Sequence, residues 1–130
     1  MSLDKPASIE VLLSRASESL AAGRTDLYCL PLLPLLEHPW SKVLAEVSKS
    51  VTQFKGLEDK ADSLPTEVVT FALESQRPYW VGLALAWLED GFPRSGRIKE
   101  ELFSISQTKH IPQQKRHVAW KLHHENEERA

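Results

Sequence analysis

A single cysteine, Cys29, and a single methionine stand in this 130-residue chain, beside five glycines and two tyrosines. Each scarcity removes a class of protein. One cysteine cannot close an internal disulfide or build a thiolate zinc site, which excludes disulfide-stapled scaffolds and zinc fingers. Between Tyr28 and Leu30 it is expected to be a buried thiol. With so little glycine there is no phosphate-cradling loop, and neither a nucleophile elbow nor a His-Glu-x-x-His pattern occurs. Long apolar runs are missing as well. The longest uncharged stretches, Leu27–Leu36 and Pro78–Leu88, fall short of the about 20 residues that a bilayer span needs. Met1-Ser-Leu-Asp-Lys-Pro has no apolar h-region. A membrane is therefore not an expected partner, and the expected compartment is the cytoplasm.

What remains is ordinary for a globular protein: 42% hydrophobic, 26% charged and a net charge of -2. A chain of this size is expected to form one domain, residues 1–130, burying roughly two-thirds of its unfolded surface. The charge is unevenly placed. Residues 1–92 carry 8 basic and 13 acidic groups, residues 93–121 carry 7 basic and 2 acidic, and Glu125, Glu127 and Glu128 outweigh Arg129 at the end. The basic stretch is the one electrostatic feature that points toward a partner.

Three helix starts recur, at His38-Pro39-Trp40, Arg77-Pro78-Tyr79-Trp80 and Ile111-Pro112-Gln113, with the prolines 39 and then 34 residues apart. Proline suits the first helical position, where its missing amide hydrogen would be unpaired anyway. Around these starts the apolar spacing predicts helices over 8–22, 39–54, 65–75, 78–90, 95–107 and 112–126. Leu27–Leu36, interrupted by Pro31 and Pro34, predicts a short buried helix or two broken turns. Residues 56–63 are polar and charged, and predict a surface loop. Helix 78–90 is apolar almost all round, which puts it, with Trp40, in the core. Gly82 inside it implies a close approach by another helix. No strand alternation persists. The fold class is therefore all-α, with six or seven short helices in antiparallel pairs.

The unit Val68-Val-Thr-Phe-Ala-Leu-Glu, a break at 75–77, and Pro78-Tyr-Trp-Val-Gly-Leu-Ala-Leu-Ala-Trp-Leu resembles HEAT-like helical repeats. Leu30–Phe54 and Leu102–Leu122 make the flanking units, so that the helix pairs cover 27–124. Residues 1–23 form an N-terminal capping helix and 125–130 a frayed tail. The units share spacing, an apolar stripe and a proline, with little residue identity. A superhelical stack and a compact irregular bundle both fit. The resemblance implies a binding scaffold more than an enzyme.

Candidate chemistry is sparse. Four of the five histidines fall in the last 21 residues. On a helix, His117, Trp120 and His124 share one face, flanked by Arg116. A metal held by His117 and His124 with Glu125 or Glu128 fails on reach, because seven residues separate the imidazoles by about 10 Å along the axis. Arg116, His117, Trp120 and His124 form the candidate protein-binding surface, since tryptophan and arginine favour binding hot spots. The plainer alternative is a last helix packed on two sides, with Trp120 in the core.

A nucleic-acid interface would use Arg94, Arg97, Lys109, Lys115, Arg116 and Lys121, with Trp120 stacking on a base. The acidic total charge speaks against it. Glu89 and Asp90 sit at a helix C-terminus, where the dipole disfavours them; Arg94 or Arg97 is the expected neutralising partner. No catalytic set, metal or cofactor is expected. The leading expectation is a non-catalytic protein-binding helical module, with nucleic-acid binding, and then an enzyme or metal protein, as alternatives.

Overall fold

The computed structural model describes residues 8–24, 29–94 and 96–128, with side chains as far as His124. Every regular element among them is helical: α1 (Ile9–Ala21), a 3₁₀ segment (Leu30–Glu37), α2 (Trp40–Ser50) with a 3₁₀ turn (Val51–Gln53), α3 (Leu64–Ser75), α4 (Pro78–Glu89), α5 (Gly96–Ser106) and α6 (Gln113–Glu128). No helix among these residues is long and apolar enough to cross a membrane. The helices pack in pairs, and the chain divides into two compact units, Met1–Val68 and Val69–Ala130, with the division inside α3.

In the first unit α1 packs on the 3₁₀ segment and on α2. Ser8 caps α1, its Oγ accepting from the Val11 amide at 3.3 Å, and Ile9, Leu12, Leu13 and Ala16 are buried as their spacing implies. The two prolines make the next element 3₁₀ rather than α. Pro31 occupies its first turn, and Pro34, inside it, has no amide to donate along an α-helical ladder. Tight bonds such as Leu32 N to Cys29 O (2.9 Å) take over. Leu32, Leu33, Leu35 and Leu36 are all buried there, at about 1.5–3 kcal/mol each, which offsets the weaker 3₁₀ hydrogen bonds. Cys29 is a buried thiol; Leu27 and Tyr28 lie outside the described residues.

Three expectations for this unit need correction. Pro39 is the N-cap of α2, extended at φ -60°, ψ 137°, rather than its first helical residue. The Trp40 side chain is only half-buried, and Val43, Val47, Ser50 and Val51 supply the seam instead. Residues 56–63 do form turns, but Leu57 is fully buried. An apolar anchor therefore holds that loop down. The turn before it is tied to α1, where Ser17 Oγ donates to the Lys55 carbonyl at 2.6 Å.

In the second unit α4 and α5 both pack on α6. The end of α4 is a Schellman motif: Gly91, at φ 110°, donates to Leu88 O (3.2 Å) and Phe92 N donates to Trp87 O (3.1 Å). The Trp87 and Phe92 rings meet at 5.3 Å, the apolar contact that often accompanies the motif, and both side chains are buried. α4 is nonetheless not enclosed all round. Val81, Ala84, Leu85, Trp87 and Leu88 are buried, Trp80 is half-buried, and Tyr79 is exposed. The glycine inside it is explained by α6: a Cβ on Gly82 would stand 2.6 Å from Lys115 Cε. Ile98, Leu102 and Ile105 of α5 face inward together with Ile111, Ala119 and Leu122 at α6. α6 continues to Glu128, through residues expected to fray; Arg129 and Ala130 lie outside the described residues.

Candidate functional site

The outer side of α6 is set by its buried side. Ala119 and Leu122 fix which way the helix faces, and residues 117, 120 and 124 then project together, three and four positions apart. Trp120 is 47% exposed, so it is a surface residue and the plainer alternative of a core tryptophan is set aside.

Trp120 does not stand alone. His117 lies nearly parallel to it, with ring centroids at 6.4 Å and 14° between planes, and His124 packs at 4.2 Å on its other flank. The row continues sideways. His124 meets His123 at 5.3 Å, and His123 meets Phe103 of α5 at 5.6 Å. His123 Nδ1 lies 3.1 Å from the Lys99 carbonyl, which ties α6 to α5 at this point. Phe103 is 52% exposed. Five rings thus run across two helices as one strip. His123 and Phe103 were not among the sequence candidates. The signal for Phe103 was its place at the edge of the α5 stripe; the signal for His123 was its place three residues after Trp120.

Arg116 leaves this group. Its Nε donates to the Ile111 carbonyl at 2.9 Å, and its side chain is half-buried at the start of α6. The other candidate cations are dispersed. Arg97 pairs with Glu74 at the end of α3 and lies 3.7 Å from Glu101 one turn along α5. Hydrogen bonding to Glu74 pushes the Arg97 guanidinium further toward its charged form. Arg97 is therefore not the neutralising partner of Glu89 and Asp90, because the α5 register aims it at α3. Lys115 lies over Gly82. Arg94 is half-buried, and its Nε has no hydrogen-bond partner among the described residues. Lys109 and Lys121 are exposed. Lys121 shares a small cavity of about 110 Å³ with Glu89, Val118 and Leu122.

His110 is exposed, and its Nε2 lies 2.9 Å from the Gln76 carbonyl in the turn between α3 and α4. Among the described residues no three His, Cys, Asp or Glu side chains converge as a metal-binding group. The Glu125 and Glu128 side chains lie outside the described residues. Burial, with Glu74 nearby, raises the pKa of Glu101 from its ordinary value, and Arg97 opposes this. The chain matches no protein-family model, no curated protein and no solved structure.

Proposed function

We propose that this chain is a small non-catalytic module that binds another protein through the outer face of α6. Trp120 carries this reading: it is a large aromatic side chain, 47% exposed and braced by two imidazoles, on the side of the helix away from the buried Ala119 and Leu122. Tryptophan is among the residues most enriched at binding hot spots. Bracing in the free protein lowers the ordering cost on association. The site is therefore His117, Trp120 and His124, extended by His123 and Phe103, with Arg116 at its margin. HEAT-like stacking and a cytoplasmic location belong to the same proposal. The first rests on the proline-led helix starts, the second on the lone cysteine.

Trp120→Ala should reduce capture of the partner from the native cell at least tenfold, about 1.4 kcal/mol or more, with the melting temperature nearly unchanged. Unchanged capture, or a core-sized loss of stability, would discard the surface. Nucleic-acid binding is the weaker reading, since Arg97, Lys115 and Arg116 are engaged within the fold. It requires affinity that falls steeply with salt.

A further inference from the structure

We draw no further inference here: the strongest candidate, the open cavity of about 520 Å³ between the end of α1 and the start of the 3₁₀ segment, is lined by side chains that are all exposed or half-buried, Arg15, Glu18 and Arg24 among them, and nothing in the structure shows what covers it.

Discussion

Lys115 of α6 lies across the bare backbone of Gly82 in α4, with its Cε 2.6 Å from where a Cβ would stand. The α4–α6 contact thus uses the apolar stem of a lysine. An alanine at 82 gains up to about 1 kcal/mol of helix propensity but must push that stem aside. Gly82→Ala should therefore yield less than the full gain in the native background, and more once Lys115→Ala has cleared the space. A double-mutant cycle read by chemical denaturation should show a coupling above about 0.5 kcal/mol. Additive effects would mean that the stem does not rest there.

Glu101 makes stability depend on pH. Burial and the nearby Glu74 carboxylate raise its pKa, with Arg97 working in the other direction. A raised carboxyl pKa in the folded state means that the proton is bound more tightly there than in the unfolded chain. The contribution of Glu101 is thus fully present below its unfolded pKa, and it is lost as pH rises through the folded value. Glu101→Gln should raise the melting temperature by a few degrees at most at neutral pH, and the gain should disappear in acid below the ordinary carboxylate range. A gain that is the same at every pH would place its origin elsewhere.

The turn between α3 and α4 stores backbone strain. Gln76 sits at φ 57°, a left-handed conformation that favours glycine, while its carbonyl faces His110 Nε2. Gln76→Gly should stabilise the protein by about 0.5–1 kcal/mol, since the conformational cost of the side chain is removed. His110→Ala should loosen the same turn, seen as faster amide hydrogen exchange at 76–78. If the glycine variant is destabilised instead, the side chain of Gln76 matters more than its backbone.

The helix starts were legible because proline reports its own backbone: Pro39, Pro78 and Pro112 each stand at or just before the first residue of a helix. The stripes were legible where helices have one wet side, as in α1 and α5. On α3 Leu64, Val68 and Ala72 are buried, as helical spacing implies. Val69 and Leu73 are buried, whereas Phe71 and Ser75 are half-buried. A helix rich in apolar residues does not say which of them will meet a neighbour. The exposure of Trp120 has the same origin, since it depends on what packs against α6 rather than on α6 itself. The partners of Arg97 and Arg116 were hidden because they are fixed by neighbouring helix registers and by a backbone carbonyl.

Trp87 and Trp120 should respond oppositely to truncation. Trp87 is 4% exposed and packs on Phe92 in the Schellman end of α4, whereas Trp120 is 47% exposed. Trp87→Ala removes core volume and should cost about 3–5 kcal/mol. Trp120→Ala should cost under about 1 kcal/mol, because it removes ring contacts that water already reaches. Fluorescence separates the two residues independently. Trp120 should account for most of the quenching by added iodide, and its emission should change in His117→Gln/His124→Gln, because both imidazoles pack against the indole. Iodide quenching should remain in that double variant, since the indole stays exposed. A tryptophan signal that ignores both histidines would mean that the imidazoles do not brace the ring in solution, and the preorganised docking face would lose its support.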